Sequence, residues 1–374
     1  MDFSLTEEQR QLQDSAEKFI AREYQSKQQP SNDSGGNDID TMRWQIVKDL
    51  GWLGLGVPVE DGGHDGTIVD VMLLQEVLAR GPVREPIQDC ILSSQLLVAC
   101  GNEITRSYLH QLISGHHFYV AALYEPAGRY SLSPSITTAR QEGELLLISG
   151  QKTAVPFGGK ADGFIVSTKH ANGEIALCLV DSQTPGVSIH SYPTIDGREA
   201  AELILKDVAV TRTGLLRSGE PAVQALARAV DASIISLCAE ALGSMETALS
   251  LTVSYCKQRT QFGRSLSKFQ SLQHKMADMY IQCESIRSLL YASAIKHAQH
   301  DNDSHLLVSA LKYKVAREGR TLMETAVQLH GAIGFTDDYM LGQYYKRVLC
   351  IAAINGDADY HLTEYLNSTQ RDVT

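Results

Sequence analysis

The spacing of apolar residues along this chain changes twice, and the changes predict three successive regions. In the first region the apolar residues recur with the period of a helix, a pattern typical of helices with one buried face. Ser4 and Glu7 have the spacing of a capping box, so a helix is expected to begin there. Further helical patterns cover residues 39–50, 68–80 and 86–100. The segment 1–116 is therefore predicted to be a helical domain.

From His117 onward the period shortens, and turn residues such as Gly143 and Asn172-Gly173 separate short apolar runs. Runs of this length that are rich in β-branched residues predict strands. They cover residues 118–123, 144–150, 163–169, 174–181 and 201–210. The segment 117–215 is therefore predicted to be a compact antiparallel β-domain.

Helical patterning returns after the break at Gly219-Glu220-Pro221 and continues to the end of the chain. Three long helices are predicted over residues 222–258, 269–297 and 304–330. Helices with such apolar faces bury them best in a four-helix bundle, which is the prediction for 216–374. The fold class is accordingly α+β and mainly α.

Composition narrows the function classes more than the fold. An apolar content of 43% and a charged content of 21% are those of a soluble globular protein. The formal net charge of −11 argues against a nucleic-acid partner, because phosphate binding needs a basic surface. No apolar run approaches the length of a membrane span. The seven cysteines are scattered and lack metal-binding spacing, which indicates buried thiols in a reducing compartment, and a cytoplasmic location is expected.

Two segments of the third region carry the candidate chemistry. They are RTQFGRSLSKFQSLQHKMADMY, residues 259–280, and VQLHGAIGFTDDYMLGQYYKR, residues 327–347. Each places polar residues beside small or turn-forming residues at a predicted helix end. Helix ends expose backbone groups that bind anions, and an arginine there matches the fork of a phosphate.

The order of the three regions and these two segments resemble the acyl-CoA dehydrogenase family over nearly the whole chain. Within the family, small-subunit forms such as the pimeloyl-CoA dehydrogenase small subunit are the most similar, in MDFSLTEEQR, LYEPAGRYSL, CAEALG and NGDADYHL. The resemblance implies FAD as cofactor, an acyl-CoA substrate and an electron-transferring flavoprotein as acceptor. In the family a glutamate removes the α proton of the thioester while the β hydride moves to the flavin.

The resemblance also implies a flavin shared between subunits. The ring lies in the β-domain cradle of one chain, and helices of its neighbour hold the pyrophosphate and adenosine. Arg259 and Phe262 match the family's R-x-x-F-G element, and Gln328 and Gly331 match its Q-x-x-G-x-x-G element. Alone, Arg259 is better explained as a solvated helix-end cation and Gln328 as a polar residue near a helix end. Together, at family spacing, the two elements favour contact with FAD.

The cradle half departs from the family. Tyr124 stands where members have a threonine before Glu-Pro, and Arg129-Tyr130-Ser131 replaces a Gly-Ser-Asp triplet. In the next strand Ala154-Val155-Pro156 replaces Trp-Ile-Thr. An aromatic wall and a hydroxyl donor are thereby lost, and Pro156 removes a backbone donor.

The usual base is also absent, because its position falls on Asn355, and the alternative base position falls on Ser233. Two other carboxylates are weak candidates. Glu240 is better explained as a buried structural carboxylate paired with a donor, and Asp357 as a turn or cap acid. No catalytic residue is assigned from the sequence.

These features lead to one main hypothesis. The chain is expected to be the small subunit of an α2β2 acyl-CoA dehydrogenase that lends its helices to FAD held by a larger subunit. A dicarboxylyl-CoA or a steroid side-chain acyl-CoA is the expected substrate. Three alternatives remain open: a self-sufficient homotetramer with an unconventional base, a structural homologue without FAD, and a flavoenzyme of altered chemistry.

Overall fold

The computed structural model describes residues 5–25, 39–336 and 339–371. Its first helix, α1 (Glu7–Ile20), begins two residues later than a cap at Ser4 would place it, and Ser4 itself lies outside the described residues. Thr6 is the N-cap: the Gln9 N–H donates to Thr6 Oγ1 (3.2 Å), and the Thr6 N–H donates to Gln9 Oε1 (3.1 Å). Both SLTE and TEEQ fit a capping box, and the predicted box at Ser4 and Glu7 is wrong because the second one caps the helix.

The remaining helices of the first region agree with the apolar pattern. They are α2 (Thr41–Asp49), α3 (Ile68–Leu78), α4 (Ile87–Cys100) and α5 (Glu103–Ile113). Contacts divide the chain into two compact units that interleave in sequence. One contains α1, α3 and the chain from Ile234 onward, and the other contains α2, α4, α5 and the β-domain up to Ser233. The predicted boundaries after residues 116 and 215 follow sequence order and stay a prediction.

The β-domain is an eight-stranded sheet. Its strands are β1 (Tyr119–Ala122), β2 (Thr138–Glu142), β3 (Leu145–Pro156), β4 (Gly163–His170), β5 (Ile175–Asp181), β6 (Val187–Pro193), β7 (Glu199–Val210) and β8 (Leu215–Ser218). The order is β6-β7-β3-β2-β4-β5-β8, and β1 also pairs with β4. The sheet is mostly antiparallel as predicted, but β4 pairs in parallel with both β1 and β2.

The C-terminal region is helical, as the apolar pattern predicts. It comprises α6 (Glu220–Gln258), α7 (Gln270–Ala298), α8 (Ser304–Lys314), α9 (Arg320–His330), α10 (Leu341–Ala353) and α11 (Ala358–Arg371). A π-helical turn, Val315–Gly319, joins α8 to α9, so the two form the single predicted helix 304–330. The expectation that no apolar run approaches a membrane span is wrong for α6, which is long and apolar enough by length and composition, yet 78% of its most apolar window is buried in the protein. A buried core helix passes the same test.

Gly243 permits the close approach of α3 to α6. A Cβ at this position would lie 2.1 Å from the carbonyl oxygen of Glu76 and 2.9 Å from the Cβ of Ala79. The first of these atoms belongs to the backbone of α3, which moves only if the helix moves. Any side chain at 243 would therefore push α3 away from α6.

We predict that Gly243→Ala lowers the free energy of unfolding by roughly 1–3 kcal/mol, the usual cost of overpacking. The matched control is Gly342→Ala in α10, where the nearest atom to an added Cβ is the Thr336 oxygen at 3.7 Å. That control should be neutral or stabilising, since alanine is the better helix former. Urea unfolding of both variants measures the difference, and equal effects would contradict the packing argument.

Candidate functional site

Arg259 and Phe262 lie on a tight hairpin directly after α6. Strands β9 (Thr260–Gln261) and β10 (Arg264–Ser265) pair antiparallel around Phe262 and Gly263, whose φ angles are 53° and 77°. Two positive φ angles at the centre are the requirement of a type I′ turn. Arg259 is exposed, and Phe262 is 89% exposed. The hairpin therefore presents both predicted residues to solvent.

Gln328 and Gly331 lie at the end of α9, and both are exposed. Gly331 has φ 66° and ψ −142°, a conformation that a residue with a Cβ rarely adopts. An added Cβ there would meet no atom within 4 Å. The glycine is thus required by the backbone rather than by crowding, and the turn leaves this stretch of main chain open to a ligand.

The side chain of His330 links these two helix ends. Its ring stacks on Tyr255 of α6, with ring centroids 4.6 Å apart and an interplanar angle of 27°. Nδ1 lies 2.8 Å from the carbonyl oxygen of Ala326, and Nε2 lies 3.1 Å from the hydroxyl of Tyr339. Since a carbonyl only accepts, Nδ1 carries a proton and donates to it. The Arg259 N–H donates to the Tyr255 carbonyl (2.8 Å), so the stack adjoins the hairpin.

No pattern in the sequence predicted this contact. His330 lies between Gln328 and Gly331, and Tyr255 lies four residues before Arg259. A histidine near a predicted helix end, between two candidate cofactor-binding residues, was the available signal. Burial lowers the pKa of His330 below its usual value, which favours the neutral ring with Nε2 accepting from Tyr339.

In the β-domain, large side chains lie on both sides of Glu125 in the sequence. The rings of Tyr124 and Tyr130 pack edge to face with centroids 6.5 Å apart. Arg129 has φ 48°, a left-handed conformation that glycine adopts freely and arginine does not. The backbone at 129 thus holds a conformation that suits glycine while carrying a long cationic side chain.

A buried ion pair holds this segment in place. The Glu125 carboxylate accepts hydrogen bonds from the N–H groups of Ser135 (2.7 Å), Ile136 (2.9 Å) and Thr137 (2.9 Å), and Lys152 Nζ lies 3.2 Å away. Burial alone would raise the pKa of Glu125, but the hydrogen bonds from Ser135, Ile136 and Thr137 outweigh it and hold that pKa well below its usual range. Burial lowers the pKa of Lys152 to about 8. The altered cradle is therefore an ordered part of the sheet.

Ala154 lies in a β-bulge of β3, where the register against β7 shifts between Lys152 and Val155. It is exposed and has φ 52°. Next to it, Val155 is buried and pairs with Ala201. A methyl group stands where the resemblance places an indole, so the bulge offers no flat wall for a ring.

Asn355, at the position of the family's base, lies in the turn between α10 and α11. Its φ is 58°, and that of Gly356 is 117°. The buried ammonium of Lys312 donates to the carbonyl oxygens of Ile351 (2.8 Å), Ala352 (3.3 Å) and Gly356 (2.6 Å). Burial lowers the pKa of Lys312 to about 8. Lys312 therefore holds the backbone of the turn in place. The side chain that the turn carries at 355 is a carboxamide and not a carboxylate.

His361 of α11 fixes the same turn from the other side. Its Nε2 lies 2.9 Å from the Asn355 carbonyl oxygen, and its Nδ1 lies 3.3 Å from Ser309 Oγ. Burial lowers the pKa of His361 to about 4. The imidazole is neutral at pH 7 and donates from Nε2 to the carbonyl.

The two weak candidates for a base both have structural partners. Glu240 is buried and accepts two hydrogen bonds from the Arg347 guanidinium, Nε to Oε1 (2.6 Å) and Nη2 to Oε2 (2.6 Å). Asp357 caps α11, because its Oδ1 accepts from the Tyr360 N–H (2.9 Å). Ser233, at the alternative base position, accepts from Gln88 Nε2 (3.0 Å). A carboxylate with both oxygens held by arginine is poorly suited to accept a proton.

The seven cysteines are all free thiols, and six are buried. Burial raises the pKa of Cys178 and Cys238 to about 12 each, so these thiols are poor nucleophiles. Among the described residues, no group of histidine, cysteine, aspartate and glutamate side chains could hold a metal ion.

Comparison with known proteins identifies three successive domains. Residues 6–116 match the acyl-CoA dehydrogenase N-terminal domain, residues 121–208 match the middle domain, and residues 224–366 match the C-terminal domain. Acryloyl-CoA reductase (NADH) of Anaerotignum propionicum is 27% identical over 374 aligned positions, which cover 96% of this chain and 94% of the relative.

Solved structures share the fold over almost the entire chain. The Tcur3481–Tcur3483 steroid ACAD is 26% identical with a TM-score of 0.87, over 98% of this chain and 99% of that chain. The ChsE4–ChsE5 complex of Mycobacterium tuberculosis has a TM-score of 0.87 at 22% identity, over 99% of each chain, and this likeness concerns the fold alone.

We predict that Glu240→Gln lowers the free energy of unfolding by about 3–5 kcal/mol, because it leaves the Arg347 guanidinium buried without its carboxylate. Replacing both residues, Glu240→Leu with Arg347→Met, should recover most of that loss. As a control, Arg320→Met breaks an exposed pair with Glu324 and should leave the free energy of unfolding nearly unchanged. Urea unfolding measures these values, and a double-mutant cycle built from Glu240→Leu, Arg347→Met and the two together gives the coupling between the residues. Additive effects at 240 and 347 would refute a structural role for the pair.

The low pKa of His361 predicts an acid-sensitive fold. Between pH 6.5 and pH 4 the unfolded chain binds a proton at this histidine and the folded protein does not, so this contribution to stability is complete above pH 6.5 and declines below it. A shift from about 6.5 to about 4 corresponds to roughly 3 kcal/mol. Between pH 7 and pH 4 the free energy of unfolding should therefore fall by about 3 kcal/mol less in His361→Gln than in the unmodified protein. Identical pH profiles of unfolding for the two proteins would contradict this assignment.

Proposed function

Because the chain belongs to the acyl-CoA dehydrogenase family, whose members are FAD-dependent oxidoreductases acting on CH–CH bonds, we propose that it is the small subunit of a heteromeric member. In this proposal, Arg259, Phe262, Gln328 and Gly331 contact the FAD whose ring lies in the larger subunit. The complex performs α,β-dehydrogenation of an acyl-CoA thioester. The observation that carries the proposal is the contrast between the helical half and the β-domain half of the flavin site.

The helical half fits the anionic end of FAD. Arg259 presents an exposed guanidinium. The main chain at Gly331 is accessible to a ligand and lies near the exposed Gln328 in the sequence. Guanidinium forks and open backbone turns are the groups that bind phosphate oxygens. These residues would hold the pyrophosphate and adenosine, and FAD would supply the hydride acceptor for the reaction.

The β-domain half does not fit the ring end of FAD. Tyr124 and Tyr130 pack against each other in the segment that faces the ring in the family, and Ala154 provides no aromatic wall. The proposal therefore assigns no chemical step to this chain's own β-domain. In the proposal the larger subunit supplies both the cradle and the glutamate.

The partners of Glu240 and Asp357 favour this division over a self-sufficient enzyme. Glu240 is held by Arg347, and Asp357 caps a helix. Neither carboxylate is free for proton transfer, and Asn355 has no carboxylate to offer. A base from another chain is the simplest remaining source.

For the substrate we propose a bulky acyl-CoA, either a dicarboxylyl-CoA or a steroid side-chain thioester. The first follows from the resemblance to pimeloyl-type small subunits. The second is supported by the likeness to the Tcur3481–Tcur3483 steroid ACAD at 26% identity. An electron-transferring flavoprotein as acceptor, the α2β2 assembly and a cytoplasmic location belong to the same proposal.

Co-expression with a larger homologue that carries the glutamate tests the proposal. We expect a stable complex with bound flavin and dehydrogenase activity, and a lone chain that is isolated with little flavin. The dehydrogenase activity of the complex toward each of the two thioester classes then identifies the substrate. A lone chain with stoichiometric flavin and full turnover would overturn the proposal. Equal flavin content in the larger subunit with and without this chain would overturn it as well.

Arg259→Ala in this chain should weaken FAD binding by the complex about 10- to 100-fold, the range expected for one charge-assisted hydrogen bond. Arg10→Ala makes the same charge change at an exposed residue of α1 that pairs with Glu7, and it should leave FAD affinity unchanged. Flavin fluorescence during titration of the apo-complex reports both affinities. Equal affinities for the two variants would remove Arg259 from the site.

A further inference from the structure

We propose that His330, held between Tyr255 and Tyr339, is a positioning residue that sets the two FAD-contacting segments at the spacing FAD requires. This inference rests on the proposed contacts of Arg259 and Gln328 with FAD. It assigns no contact with FAD to His330 itself. The role of His330 is to fix the end of α9 against the end of α6.

The position of the ring supports this role. His330 is 3% exposed, so its imidazole is part of the packed interior. It is the last residue of α9, and Gly331 follows it with its open backbone turn. The stack on Tyr255 reaches α6 one helical turn before Arg259, and the bond to Tyr339 reaches the segment that leads into α10. One side chain thus contacts three elements around the candidate site.

The chemistry of the ring explains why a histidine occupies this position. The site asks for a donor to the Ala326 carbonyl, an acceptor for the Tyr339 hydroxyl and a flat face for Tyr255. A neutral imidazole provides all three at once. Phenylalanine keeps only the flat face, and asparagine keeps only the polar contacts.

The geometry also limits how Arg259 can move. The Arg259 N–H donates to the Tyr255 carbonyl. The Arg259 carbonyl accepts from the Leu266 N–H (2.9 Å), and this bond closes the hairpin. A displaced Tyr255 would carry the start of the hairpin with it. The stack therefore restrains the guanidinium through the backbone, without touching the side chain.

The test is a double-mutant cycle in FAD affinity, measured by flavin fluorescence on whichever form retains flavin, the complex or the lone chain. Tyr255→Ala removes the ring and should weaken FAD binding about fivefold, within the range of one aromatic pair. Tyr255→Phe keeps the ring and should bind FAD within about twofold of the unmodified protein, as a conservative rescue. His330→Phe should resemble Tyr255→Ala.

The decisive readout is the coupling between Tyr255 and Arg259. If the stack acts by positioning Arg259, then Tyr255→Ala should have little further effect once Arg259→Ala is present. A merely structural role would give additive losses, each tracking the midpoint of urea unfolding. Additive losses, or unchanged affinity in folded Tyr255→Ala and His330→Phe proteins, would overturn the inference while the contact of Arg259 stands.

Failure of the underlying contact gives a different result. If Arg259→Ala alone leaves FAD affinity unchanged, Arg259 does not contact FAD and the proposed function is contradicted. The cycle then contains no effect of Arg259 to which Tyr255 could be coupled. Should Tyr255→Ala or His330→Phe fail to fold, Tyr339→Phe removes a single hydroxyl and keeps the packing. That variant should weaken FAD binding about threefold by loss of one hydrogen bond, and an unchanged affinity would overturn the positioning role.

Discussion

In the proposed arrangement, the stack of His330 on Tyr255 is the contact on which the candidate site depends. The two segments that resemble cofactor-binding elements are about 70 residues apart in sequence, from Arg259 to Gln328, and nothing local holds them together. The stacked rings connect the ends of α6 and α9, and Tyr339 adds the segment before α10. The exposed Arg259 and the open turn at Gly331 belong to the same compact unit, although each of them is a surface feature.

The two halves of the proposed flavin site make different physical demands, and the chain meets only one set. The pyrophosphate end needs a cation and open backbone, which Arg259 and Gly331 provide. The ring end needs a flat wall and room, which the Tyr124–Tyr130 pair and the Ala154 bulge do not provide. The β-domain is nevertheless well ordered, with Glu125 and Lys152 buried together. An ordered β-domain of this kind is consistent with the proposed division of the flavin site between two subunits.

The same contrast holds at Asn355. Lys312 and His361 fix its turn through backbone carbonyls, and neither interaction depends on the side chain at 355. The turn that presents the base in the family is therefore maintained here without one. Asparagine at this position therefore removes the carboxylate while the local structure is kept, as the proposal of a base from a larger subunit requires.

Sequence patterns predicted the elements well where burial has a clear period, as in α6, α7 and α8–α9. They missed β2, β6 and β8, because these short strands are largely exposed or polar and lack an apolar run. The parallel pairings of β4 depend on chain crossings that no local pattern records. The cap role of Asp357 is local, so the sequence around it could predict that role. The Arg347 partner of Glu240 lies 107 residues away, so sequence could indicate a paired carboxylate without naming its donor.

The location of the flavin in a crystal structure of this chain bound to its larger partner tests the central claim most directly. The account predicts one ordered FAD with its ring against the partner's β-domain and its pyrophosphate beside Arg259 and Gln328 of this chain. A flavin ring lying against Tyr130 and Ala154 of this chain would contradict it.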